Sequence, residues 1–222
     1  NYKKRETMAI KFEQKNNQTK TDFTAPAGTH IARCYKMIHV GTRSYEYNGD
    51  PKTKNSIWFY FELPTEMRIF DKENGEQPLS INIEYNLTFY EAAKLFQHVN
   101  TWRGKTLTPQ EIDDFEIDSL IGEPCMLSVI HNVSSKNGKT YANITAVSAM
   151  PKGIEAPEQI NESFIWDYDT NFSIEAFNEF HPFFQDMIKQ TPEWDKKQND
   201  LLESGLLEKV IAESNDSNDM PF

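Results

Sequence analysis

Residues 57–63, I-W-F-Y-F-E-L, alternate in a way that frames the rest of the chain. At period two, Ile57, Phe59, Phe61 and Leu63 face one side, and Trp58, Tyr60 and Glu62 the other. A half-buried strand normally carries polar residues on its second face. Here that face carries two large rings. Two arrangements explain them: a second packing layer, from a partner subunit or a covering segment, or a platform on which nucleic-acid bases stack.

Strand patterns recur on both sides. The turn signal Ala25-Pro26-Ala27-Gly28 precedes a strand over 29–40. Ala32, Cys34, Ile38 and Val40 lie on one face of it, and Arg33, Tyr35, Met37 and His39 on the other. Lys36 falls on the apolar face unless a bulge re-aims it. Residues 41–55 lack alternation and are expected as a long polar loop carrying Arg43, Tyr45, Tyr47, Lys52 and Lys54. Cations interleaved with rings suit a grip on single-stranded nucleic acid; a solvated loop whose tyrosines cap the core edge fits as well. Beyond residue 63, Pro64 interrupts the strand, 67–70 ends it, and Asn74-Gly75 marks a hairpin. The returning strand, 79–87, sets Leu79, Ile81, Ile83, Tyr85 and Leu87 against Ser80, Asn82, Glu84 and Asn86.

A helix follows. Ala92, Leu95, Phe96 and Val99 recur at helical spacing. Thr88 and Glu91 are expected to form its capping box, and Gly104 its left-handed stop. Trp102 fits either core or surface. Thr108-Pro109-Gln110-Glu111 starts a second short helix, and 118–122 a further turn. Then come a strand over 124–133, a hairpin at Asn137-Gly138 and a closing strand over 140–150, with Ala142, Ile144 and Ala146 inward. Lys136, Lys139 and Tyr141 gather at the mouth of this hairpin.

Strand, strand, strand, helix, strand, strand is the order of the OB-fold. That five-stranded Greek-key barrel binds oligonucleotides on strands two and three and with its first and last inter-strand loops. The rings and cations fall on those elements. The predicted fold is therefore mainly β, a five-stranded OB-fold barrel over 25–153. It follows a flexible polar arm (1–24) and precedes an acidic, partly helical extension (154–213) and an acidic tail (214–222).

Charge separates the body from its appendage. The net charge is -11, yet residues 1–149 hold 18 basic and 18 acidic side chains, and residues 150–222 hold 5 and 16. The neutral body is compatible with a basic groove, and the whole acidic excess lies in the last third. In the extension, Phe164, Trp166 and Tyr168 alternate, as if to pack back on the barrel or to imitate stacked bases. Residues 173–190 predict a helix or a helix pair broken near Pro182, and 201–212 another helix. Capping the barrel is preferred to docking a partner or forming a homodimer.

Cys34 and Cys125 sit in apolar runs and suit buried thiols in a reducing cytoplasm. No zinc spacing, phosphate-cradling glycine loop or nucleophile motif occurs. Asp113 and Asp114 are expected as solvated helix charges, so neither an enzyme nor a metal or cofactor is expected. There is no apolar run of membrane-spanning length, and the first twenty residues lack an apolar signal segment.

The tail N-D-M-P-F resembles the acidic tail of bacterial and phage single-stranded DNA-binding proteins, with Asp216, Asp219, Met220, Pro221 and Phe222 matching. It departs in carrying Met for the usual Ile and fewer consecutive Asp residues. In that family the tail recruits replication and repair enzymes and competes with DNA for the basic groove. Residues 25–153 are similar to a family of tailed-phage OB-fold single-stranded DNA-binding proteins. The matching stretches are A-P-A-G-T-H-I-A-R-C, F-Y-F-E-L, W-R-G-K-T-L-T, L-I-G-E-P-C-M-L-S-V and G-K-T-Y-A-N-I.

The resemblance speaks to the fold more than to the function; with the rings and cations read above, the expectation is a non-enzymatic, sequence-tolerant single-stranded DNA-binding protein of phage replication or recombination, acting in the host bacterial cytoplasm. Trp58 and Tyr60 would stack bases with Tyr45, Tyr47 and Tyr141. Arg33, Lys36, Arg43, Lys52, Lys54, Lys136 and Lys139 would meet phosphates, and the tail would recruit replication or recombination proteins. The alternative is a protein-interaction or phage structural module with an OB-like barrel.

Overall fold

The computed structural model describes residues 23–204. Five strands form a curled antiparallel sheet in the order β3-β2-β1-β4-β5. They are β1 (Gly28–Tyr47), β2 (Asp50–Asp71), β3 (Gly75–Asn86), β4 (Pro124–Val133) and β5 (Thr140–Ser148). The extension adds a sixth, β6 (Phe164–Trp166), which runs parallel to β1 and pairs with Lys36, Met37 and Ile38. The expected five strands are therefore six.

The alternation of 57–63 survives as drawn. Phe59, Phe61 and Leu63 are buried in the main core with Leu79, Ile81 and Leu127. Helix α1 (Lys94–Arg103) closes this core against β3 and β5, burying Leu95, Phe96, Val99 and Trp102. Gly104 stops it at φ 68, where a side chain would be strained. The expected Thr88–Glu91 box does not form. Turns occupy the segment before the helix, the Thr88 amide donating to the Asn86 carbonyl and the Ala93 amide to that of Tyr90. The second box does form, at α2 (Pro109–Asp113): Thr108 Oγ1 accepts from the Glu111 amide, and the Glu111 carboxylate accepts from the Thr108 amide. A short 3-10 turn, Ile117–Leu120, follows.

Two irregularities re-aim side chains. The β1–β2 register skips between Cys34 and Lys36, so the alternation reverses. Cys34 and Met37 both enter the main core, while Lys36 and Ile38 turn to the outer face. Met37 therefore leaves the face that strict alternation gives it. A similar shift between Ser128 and Val129 helps bring Val147 inward and leaves Ala146 exposed.

The expected loop over 41–55 is a β-ribbon. β1 and β2 stay paired from Gly41 and Ser56 out to Tyr47 and Asp50. The two-residue turn is Asn48-Gly49, with φ 54 and 83, the conformation Asn-Gly favours in tight hairpins.

The extension forms a second core on the outer face of β1 and β2. Its helices are α3 (Ile174–Asn178), α4 (Pro182–Lys189) and α5 (Pro192–Glu203). Ile38 and Val40 of the sheet pack with Trp166, Tyr168, Phe177, Phe180, Ile188 and Trp194. Pro182 separates α3 from α4, as its missing N–H requires. Helix α5 begins nine residues ahead of the expected 201–212, capped by Thr191, whose hydroxyl accepts from the Trp194 amide; residues 205–212 lie outside the described residues.

Polar pins fix this cover. Glu62, wholly buried, accepts from the amides of Ile160 and Asn161 and from Asn161 Nδ2, each at 2.7 Å. Glu193 accepts from the Thr42 amide and hydroxyl at 2.9 and 2.6 Å. A Cβ on Gly41 would lie 2.9 Å from Glu193 Oε2, so glycine lets α5 approach the strand. The Tyr168 hydroxyl donates to the Val40 carbonyl at 2.8 Å.

Candidate nucleic-acid interface

The outer face of β2 carries Lys52, Lys54, Ser56, Trp58, Tyr60 and Glu62 in one row, because side chains two apart share a face. Cross-strand register places Arg43 beside Lys54, Tyr45 beside Lys52, and Glu84 beside Trp58.

Both explanations of the Trp58 and Tyr60 rings called for something on the outer face, and the extension supplies a covering layer. Phe184 of α4 meets Trp58 edge to face, centroids 5.0 Å apart, and Tyr60 at 6.3 Å. Burial, with Tyr35 adding to it, pushes the Tyr60 phenol well above its ordinary pKa. Both side chains remain half-buried, but the face of Tyr60 is shared with Lys36.

The Lys36 ammonium lies 5.2–5.6 Å from the ring centroids of Tyr60, Phe164 and Phe180, a cation–π arrangement. Burial lowers its pKa. Arg33 is taken up by backbone oxygens: Nε donates to the Pro157 carbonyl and Nη1 to that of Gly122, both at 2.7 Å. Arg33 and Lys36 therefore hold the extension to the sheet and are not gathered with the other expected cations.

Glu84, a polar-face residue of β3 that sequence reasoning left without a role, organises two more. It forms ion pairs with Arg43 and with Lys54, the latter at 2.8 Å. Arg43 also donates to Met187 Sδ at 2.9 Å and to Ser56 Oγ at 3.3 Å. Its charge is thus partly spent inside the molecule, and one carboxylate between two cations leaves the group net positive.

The exposed rings and cations lie at two hairpin tips. Tyr45 and Tyr47 are exposed on the ribbon, with Lys52 Nζ 4.6 Å from the Tyr47 centroid. Lys136, Lys139 and Tyr141 are exposed at the β4–β5 tip, where Asn137 Nδ2 donates to the Tyr141 hydroxyl at 2.9 Å. Between them opens a cleft of about 490 Å³ lined by Trp58 and Glu84 on the ribbon side and by Asn132 and Asn143 on the other. Register continues it toward both tips, since Glu84 holds Lys54 and Asn132 pairs with Tyr141. Lys94, at the start of α1, also lines it, its pKa lowered by burial. Sequence reasoning missed Lys94 because it lies on a helix taken as core packing.

The tail residues Asp216, Asp219, Met220, Pro221 and Phe222 lie outside the described residues, as does the arm over 1–22. Among the described residues no group of His, Cys, Asp and Glu is placed to hold a metal ion, and no helix is long and apolar enough to cross a membrane. Compared with protein-family models and with curated proteins, the chain matches none.

Proposed function

We propose that this chain is a non-enzymatic, sequence-tolerant single-stranded DNA-binding protein of a phage replication or recombination system, working in the host cytoplasm. The observation that carries the proposal is the path just described: two exposed ring-and-cation tips flanking one cleft edged by Trp58. Unpaired bases stack on rings without a sequence code, and nearby cations meet phosphates. The curled sheet, its strand order and a helix between the third and fourth strands support an OB-fold reading, in which strands two and three and the same two hairpins meet the ligand.

On this reading the strand runs over Tyr45, Tyr47, Lys52 and Lys54, past the uncovered edge of Trp58, to Tyr141, Lys136 and Lys139. The covered face of Tyr60 is not a primary stacking surface. To free it the extension would have to leave, exposing Trp166, Phe177 and Trp194 from the same core. Each such side chain gains about 1.5–3 kcal/mol on burial, at least as much as the ~1–3 kcal/mol from one stacked base. The tail, ending in Met220, Pro221 and Phe222, recruits replication or recombination proteins.

The test is titration of the full chain with oligo-dT while tryptophan emission is followed, at several salt concentrations. Quenching that weakens steeply with salt supports the reading. Emission untouched at low ionic strength, together with no gel shift, overturns it in favour of a protein-interaction or structural module.

A further inference from the structure

The cleft between the two tips differs from them in chemistry. The tips offer rings and lysines; the cleft offers carboxamides. Asn82, Asn132 and Asn143 line it beside Trp58 and Lys94. The carboxamides of Asn82 and Asn132 have no hydrogen-bond partner among the described residues, and Asn143 gives one N–H to the Tyr141 carbonyl at 3.1 Å, leaving its Oδ1 open. Trp58 Nε1 is a buried donor with no acceptor. The indole therefore lines the cleft with its ring and not with its N–H.

A side-chain amide presents a donor and an acceptor side by side, the pattern that pairs with the edge of a base once that base is unstacked. Ile130, 45% exposed, adds an apolar surface beside Asn143, its cross-strand partner. Lys94 donates to the Ile144 carbonyl at 3.3 Å and has no ion pair among the described residues, which leaves its charge for a phosphate. Glu84 does not repel a phosphate as a lone carboxylate would, being paired with Arg43 and Lys54. A bare phosphate ion would call for clustered cations; three amides around an indole suit a base.

We propose that this cleft takes one nucleobase of the bound strand and reads its hydrogen-bonding edge, giving an otherwise tolerant protein a base preference. The proposal rests on the single-stranded DNA reading above. Asn82 and Asn143 read the edge, and Lys94 meets the adjoining phosphate.

The experiment compares the full chain with Asn82→Ala, Asn143→Ala, the double variant and Lys139→Gln, each titrated with labelled oligo-dA, oligo-dC and oligo-dT of one length. The oligonucleotides differ in self-stacking, but that difference is common to all the proteins and cancels between them. The expected result is that the double variant narrows the spread between tightest and weakest oligonucleotide by about fivefold or more, the scale of one good amide–base pair. Lys139→Gln is expected to weaken all three by a common factor. An unchanged spread in the double variant, with binding retained, overturns the pocket and leaves the DNA reading standing. No binding of any oligonucleotide by the unmodified chain overturns both.

Discussion

The indole of Trp58 and the ring of Phe184 meet edge to face, 5.0 Å apart and at 80°. This contact covers the indole on the side of Tyr60 and Lys36, while its open side lines the cleft. Trp58 is also the one half-exposed tryptophan of the four: Trp102, Trp166 and Trp194 are 6%, 0% and 4% exposed. A collisional quencher such as acrylamide therefore reports chiefly on Trp58. Phe184→Ala is expected to raise the quenching constant and to deepen quenching by oligo-dT. Its stability loss is about 1–2 kcal/mol, below that of a fully buried phenylalanine. An unchanged acrylamide response would show that Phe184 does not shield the indole.

Glu84 limits how much positive charge the ribbon shows. Glu84→Gln removes the one carboxylate between Arg43 and Lys54. Two cations then lie near each other with less compensation, so the folded state is expected to lose stability while anion binding improves. For each additional phosphate contact, the log–log salt dependence of oligo-dT binding steepens by about 0.7. Equal slopes in the two proteins would mean that Arg43 and Lys54 never reach the strand.

Strands and hairpins were legible where one face has a core to meet. Ile57 to Leu63 and Leu79 to Tyr85 alternate because their inner residues are buried in the main core, and Asn74-Gly75 and Asn137-Gly138 mark real turns. The ribbon was not legible, because no core lies under it and its alternation has nothing apolar to show. The signal it does carry, unused in expecting a loop, is Asn48-Gly49 at the turn. The bulge at Lys36 could be anticipated from a lysine on an apolar face, but its reversal of Met37 depends on the partner strand. The fate of Arg33 and Lys36 was hidden for another reason. Both are occupied by residues more than 120 positions away, Pro157, Phe164 and Phe180, and spacing along the chain does not reveal such partners.

His98 gives the main core a pH dependence. Its ring accepts or donates at Nδ1 to the Tyr85 hydroxyl at 2.7 Å. Burial first, and the nearby Lys94 charge second, lower its pKa to about 4. The unfolded chain therefore binds a proton near the ordinary imidazole value of about 6.5, while the folded chain resists it. This contribution is fully present above about pH 6.5 and is lost as pH falls toward about 4. Thermal melts across that window are expected to show a falling Tm, and His98→Gln to flatten that part of the profile. A variant whose melting temperature falls just as steeply would assign the effect to other groups.

Glu62 is the buried charge on which the path of the extension depends. Its carboxylate oxygens face three N–H groups from Ile160 and Asn161, and an anion is the acceptor such a nest requires. Glu62→Gln keeps the shape but turns an NH₂ toward donors, leaving at least one buried N–H without a partner. The expected loss is about 1–3 kcal/mol, concentrated where residues 154–163 meet the sheet. Limited proteolysis is expected to cut this stretch earlier in the variant while the main core stays resistant. Cleavage there at the unmodified rate would show that the β6 ladder and the second core hold the extension without Glu62.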